Sequence, residues 1–120
     1  MAIYKFKEAA VYKMTFALSM GIFQLSRFFA KEEKYSLTDQ VRRSSRSVCT
    51  NLAEAYRKKR YPAHFISKLT DCVAKNSETG VWLEFAFACE YINAQTIISL
   101  NANQEIGRLL NHIINNPDKY

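Results

Sequence analysis

Seven cationic side chains crowd into one stretch of this 120-residue chain: Arg42, Arg43, Arg46, Arg57, Lys58, Lys59 and Arg60. Only Glu54 opposes them between Arg42 and Arg60, so this segment carries the same +6 excess as the whole chain and the remaining residues balance. Guanidinium and ammonium groups spaced a helical turn apart, with a terminal cluster, can follow a phosphate backbone. Tyr56 and Tyr61 flank the 57–60 run and offer ring faces to unpaired bases. No feature suggests reading of base edges. Binding on this segment is therefore expected to be weakly sequence-specific and strongly salt-dependent. A short Lys/Arg run also occurs simply as a solvated loop. Here three further arginines share the predicted helix, and that favours a ligand.

Other reactive residues point to no reaction. His64 and His112 are far apart, and neither has an acidic residue at metal-ligand spacing. No nucleophile–base pair and no glycine-rich phosphate loop can be assembled. Cys49, Cys72 and Cys89 are odd in number and widely spaced, which argues against a disulfide framework or a zinc site and predicts buried thiols in a reducing cytoplasm. The expectation is a non-enzymatic protein without metal or cofactor. Asn51, Glu54 and Glu78 fall near apolar stripes, where they are read as structural polar residues. Asn51 and Glu54 would form a hydrogen-bonded pair that sets helix register. Glu54 or Glu78 could pair with an arginine of the second helix.

The elements that must position these groups are helices. Three Gly and two Pro are too few turn signals for an all-β domain of this length. Apolar periodicity predicts a single domain over 1–120 with helices at about 5–28, 37–57, 63–91 and 94–115, packed as an all-α, antiparallel up-down-up-down four-helix bundle. The first helix has two apolar stripes, Tyr12/Phe16/Met20/Phe23 and Val11/Met14/Leu18/Ile22/Leu25, more than one bundle seam needs. It is central in its bundle or meets another subunit, with Gly21 marking a close crossing. Ser36 and Asp39 resemble a capping box for the second helix, whose core stripe is Leu37, Val41, Ser44 or Ser45, Val48, Leu52 and Ala55. The third helix points Ile66, Leu69, Val73, Asn76, Gly80, Leu83 and Phe87 inward, with Phe65, Cys72, Trp82 and Cys89 as a flank. The fourth carries Ile98, Ala102, Ile106, Leu109, Leu110 and Ile113. The uncharged run Met14–Ser26 is shorter than the roughly 18 residues of a membrane span. Glu8 and the lack of a cleavage site argue against a signal peptide. A soluble cytoplasmic protein is expected.

The block Leu37-Thr-Asp-Gln-Val-Arg-Arg-Ser-Ser45, followed by Asn51-Leu-Ala-Glu54, resembles the four-helix-bundle family encoded in intervening sequences of large-subunit ribosomal RNA genes. Phe29-Ala-Lys-Glu-Glu33, Ser77-Glu78-Thr79, Val81-Trp-Leu-Glu-Phe-Ala86 and Tyr91-Ile92 are similar to the same family, over about residues 10–115. The family includes the accessory variability protein of diversity-generating retroelements, a basic pentameric barrel that binds nucleic acid and a reverse transcriptase. The resemblance implies a bacterial homo-pentamer with no catalytic residues to carry over. Two departures stand out. Ala55-Tyr56 and a full RKKR run replace the usual glycine, aromatic and few basic residues. Gly80 takes the place of a polar residue before Val81-Trp82.

Together these features predict a homo-oligomeric bundle that binds RNA or DNA through Arg42, Arg43, Arg46, Arg57, Lys58, Lys59 and Arg60. The alternative is an interaction scaffold whose basic surface serves subunit assembly or an acidic protein such as a reverse transcriptase. A small-molecule site inside the bundle would require a polar-lined internal pocket.

Overall fold

The computed structural model describes residues 6–120. Helix α1 runs over Ala10–Ser26, α2 over Asp39–Arg57, α3 over Pro62–Ala88 and α4 over Ala94–Asn115. A 3₁₀ turn, Lys31–Glu33, and a π turn, Lys34–Thr38, lead into α2, and a last 3₁₀ turn spans Pro117–Lys119. No strand occurs among the described residues. The predicted spans hold to within a few residues, except that α1 starts at Ala10 rather than about 5; residue 5 itself lies outside the described residues.

Side-chain pairings establish the antiparallel order. Along α1 and α2, Thr15 meets Cys49, Ser19 meets Ser45 and Ser26 meets Arg42. Along α2 and α3, Ser44 meets Thr79, Val48 meets Cys72 and Asn51 meets Lys68. In both sets one number climbs as the other falls. Helix α4 closes the ring by packing on α3 and α1, in a molecule 44 Å long and 21 Å across.

The interior has three levels. One end is sealed by Val11, Leu52, Ala55, Phe65, Leu69, Leu110 and Ile113, and the other by Ile22, Phe29, Leu37, Val41, Leu83 and Ala86. Between them all four helices contribute to a buried polar belt. Ser19 and Ser45 hydroxyls lie 3.2 Å apart, and Thr79 Oγ1 donates to Ser44 Oγ at 2.9 Å. Asn103 Nδ2 donates to the Asn76 carbonyl at 2.7 Å, while Asn76 Nδ2 donates to the Asn103 carbonyl at 2.9 Å. Such reciprocal bonds leave few buried polar groups unpaired. The space left inside this belt does not admit a water molecule. That removes the support for a small-molecule site there.

Several expectations are corrected. Ser36 does not cap α2. The Asp39 N–H donates to the Lys34 carbonyl, so the chain is already helical on entry, and Ser36 Oγ turns back to Glu33 Oε1. Gly21 faces open space on the outer side of α1: beyond its own stretch of helix, no described residue comes within 4 Å of where a Cβ would stand. The close approach falls at Gly80 instead, where a Cβ would sit 2.5 Å from Asn103 Oδ1. Only the Val11/Leu18/Ile22/Leu25 stripe of α1 is core; Phe16 and Met20 are exposed. In α3 the inward line is Phe65, Leu69, Cys72, Asn76, Thr79, Gly80, Leu83 and Ala86, whereas Phe87 faces out. The first half of α4 reverses the expected pattern: Thr96, Ser99 and Asn103 are buried, while Ile97 and Ile98 are exposed. Asn103 must reach Asn76 in the polar belt, and the resulting rotation carries the two isoleucines outward.

Candidate nucleic-acid interface

Helix α2 is amphipathic because its inward face is set by Val41, Ser44, Ser45, Val48, Leu52 and Ala55, leaving the opposite face to polar residues. Arg43, Arg46, Thr50, Ala53 and Arg57 follow one another at alternating intervals of three and four on that outer side. At about 1.5 Å per residue, Arg43 and Arg57 stand about 21 Å apart along the axis. The chain leaves α2 through Lys58–Arg60 and re-enters a helix at Pro62. Proline suits that first helical position because no intrahelical bond is lost there.

The seven predicted cations fall into two groups. Arg43, Arg46, Arg57, Lys58 and Arg60 are exposed, and their side chains have no ion-pair or hydrogen-bond partner among the described residues. Arg42 and Lys59 are half-buried and engaged with their own protein. Arg42 Nε donates to Ser26 Oγ at 2.7 Å and its guanidinium lies 5.0 Å over the Phe23 ring, tying α2 to the end of α1. Lys59 turns back over Phe65, 5.6 Å from the ring centre, and lines an open cleft of about 530 Å³ at the end of the bundle with Tyr56, Ile113 and Tyr120. Asp39, Arg42, Arg43, Arg46, Ser47 and Thr50 form a shallow concavity near the other end of α2.

Two acidic residues beside α2, Glu54 and Asp71, are compensated by a lysine of α3. Lys68 of α3 donates to Asn51 Oδ1 at 3.0 Å and reaches Glu54 at 3.5 Å and Asp71 at 3.6 Å. Asn51 and Glu54 therefore set the α2–α3 register through Lys68, not through a bond to each other. Glu54 contacts no arginine, and neither does Glu78, which pairs with Lys75 at 3.5 Å and accepts from Trp82 Nε1 at 3.2 Å. Sequence reasoning missed Lys68, because a lysine 14 residues after Glu54 carries no signal until the helices are docked.

Tyr56 and Tyr61 also part company. Tyr56 packs edge-on against Phe65, with ring centres 5.6 Å apart, and burial pushes its phenol above the ordinary value. Tyr61 is 56% exposed. Of the thiols, only Cys72 is fully buried, and burial drives it to about 12. Cys49 is half-buried and raised for the same reason, whereas Cys89 is exposed, contrary to expectation. Among the described residues no group of three or more His, Cys, Asp or Glu is placed to hold a metal ion. No helix there is long and apolar enough to cross a membrane.

Fold and surface together define an all-α four-helix bundle with a closed interior and an uncompensated cationic stripe along one outer helix. The family model of the 23S rRNA-intervening sequence protein matches residues 7–112, and the chain belongs to that family. It is similar to a crystal structure from Bacteroides thetaiotaomicron, described as a protein with unknown function from the S23 ribosomal protein family. Identity is 32% and the TM-score 0.81, over 91% of this chain and 98% of that one. No curated protein matches the chain.

Proposed function

We propose that this protein is a non-enzymatic, homo-oligomeric bundle that binds the phosphate backbone of RNA or DNA along the outer side of α2. Arg43, Arg46, Arg57, Lys58 and Arg60 make the contacts; Arg42 and Lys59 hold the ends of the stripe in place. One observation carries this reading: five exposed cations lie along one helix and its exit, Lys68 occupies Glu54 and Asp71, and Asp39 at the start of α2 forms no ion pair with them among the described residues. The family's name associates it with ribosomal RNA genes, a setting that fits a phosphate ligand.

The test is affinity as a function of salt. Each phosphate neutralised contributes about 0.9 to the slope of log K against log salt on B-DNA and about 0.7 on a single strand. Replacing Arg57, Lys58 and Arg60 with Gln should weaken binding to RNA and DNA and flatten that slope by about 2–3. Unchanged affinity at low salt would overturn the proposal.

A second reading rests on a different surface. Phe16, Met20 and Phe28 of α1 and its exit, with Ile97 and Ile98 of α4, expose apolar side chains, Phe28 to 81% and Ile98 to 70%. Exposed apolar side chains on α1 and α4 suit contact with further copies of the chain, five in number by the resemblance above, or with a protein such as a reverse transcriptase. In that reading the cations serve an acidic protein partner.

A further inference from the structure

Within the proposed interface, one side chain has a chemistry that phosphate contacts do not use. Tyr61 is 56% exposed, yet the backbone around it is firmly held. Its N–H donates to the Lys58 carbonyl at 2.8 Å, and its own carbonyl accepts from Phe65 N–H at 2.9 Å as the first bond into α3. The residue itself is extended, with φ −115° and ψ 93°, immediately before the first turn of α3. Among the described residues the one ring beside it is His64, edge-on at 6.1 Å between centres and 83° between planes. The phenol has no hydrogen-bond partner among the described residues. Arg60 is adjacent in the chain, and Lys58 and Arg57 lie within one turn.

An exposed aromatic alone would mean little. Tyr35 is more exposed than Tyr61, but it follows Glu32 and Glu33 and is approached by Lys34 at 5.3 Å from its ring centre. Tyr61 differs in standing among cations with no carboxylate partner. A strand drawn to Arg57, Lys58 and Arg60 by its phosphates passes its bases beside an exposed ring carried on a hydrogen-bonded backbone. A base in a duplex is already stacked on both sides and cannot use that ring, whereas an unpaired base can.

We infer that the α2–α3 turn is a binding site for unpaired nucleotides, in which Tyr61 stacks on a base while Arg57, Lys58 and Arg60 hold the flanking phosphates. The protein thereby discriminates single-stranded from duplex nucleic acid without reading sequence, since every base has a ring face to offer. This inference rests on the phosphate-binding role proposed for the same cations.

The experiment measures anisotropy of a fluorescein-labelled single-stranded RNA 12-mer and of the matching duplex at low salt. It compares the wild type, Tyr61→Ala, Tyr61→Trp, Tyr35→Ala and the Arg57/Lys58/Arg60→Gln triple variant. Tyr61→Ala is expected to weaken single-strand binding about 10-fold and to leave duplex binding within twofold. Tyr61→Trp should retain single-strand affinity, Tyr35→Ala should leave both ligands unaffected, and the triple variant should lose both. If Tyr61→Ala changes neither ligand, or weakens both equally, while the triple variant loses binding, the stacking site is overturned and the phosphate-binding role stands. If the wild type binds neither ligand, both fall.

Discussion

At the scale of single residues, the two interior and exterior glycines respond oppositely to a methyl group. Gly80 is held against Asn103, whose amide is committed to Asn76, so Gly80→Ala must displace a bonded buried amide. The loss of that pairing costs about 1–3 kcal/mol, against a helix-propensity gain of about 1 kcal/mol. Gly21 meets no such obstacle, and Gly21→Ala should gain about 0.5–1 kcal/mol. Urea denaturation of the two variants checks both signs; a stabilised Gly80→Ala would mean that the asparagine pair is loose. The thiols give a second contrast. Cys89 is exposed, Cys49 half-buried and Cys72 enclosed with its thiol pushed to about 12. Since the thiolate is the reacting form, Ellman's reagent should modify Cys89 first and Cys72 only on unfolding. Rapid modification of all three in the native protein would contradict this packing.

At the scale of elements, one clip joins the α1–α2 connection to the α3–α4 connection. Glu33 accepts from Ser36 Oγ and from Tyr91 Oη, the latter at 2.9 Å, and these bonds hold its carboxyl below the ordinary value. A lowered carboxyl contributes stability above its unfolded pKa and loses it as pH falls through the folded one. Tyr91 is raised, first by its bond to Glu33, so its contribution is present below the ordinary phenol range and is lost as pH rises through the raised value. The clip is thus strongest around neutrality. Tyr91→Phe should lower Tm most near pH 7 and least near pH 3, as read by circular dichroism melts across that range. A Tm difference that is constant with pH would remove Glu33 from the account. Helix α4 offers another case: Thr96 Oγ1 is buried without a partner among the described residues, and Thr96→Val should stabilise by about 1 kcal/mol in denaturant titration. These elements also show what was legible in the sequence. The four helices and the core stripe of α2 follow from periodicity, because a polar outer face makes the inner face unambiguous. On α1 both faces are apolar, and on α4 the inner face is locally the polar one, so hydropathy alone could not choose between them. Of the candidate site, periodicity places Arg43, Arg46 and Arg57 on the outer line. The withdrawal of Arg42 and Lys59 depends on Phe23, Ser26 and Phe65, rings and hydroxyls supplied by tertiary packing.

At the scale of the whole molecule, charge and apolar surface make opposing demands that salt can separate. Every copy carries +6, so copies brought together repel, and added salt screens that repulsion. Association through Phe16, Met20, Ile97 and Ile98 is therefore expected to strengthen with salt, whereas phosphate binding through α2 weakens with it. An assembly also repeats the α2 stripe, so one long strand can engage several copies and gain avidity that a short one cannot. Phe16→Ser with Met20→Ser should lower the mass seen by light scattering towards the 13.9 kDa of a single chain. The same variant should bind a long single-stranded RNA at least 10-fold more weakly than wild type, as expected when avidity is lost. Affinity for a 12-mer, which engages one stripe, should stay within twofold. If the mass is unchanged, the α1 face is not the contact between copies. If the mass falls while long-strand affinity holds, the copies do not share a strand, and the cationic stripe acts singly on each protomer.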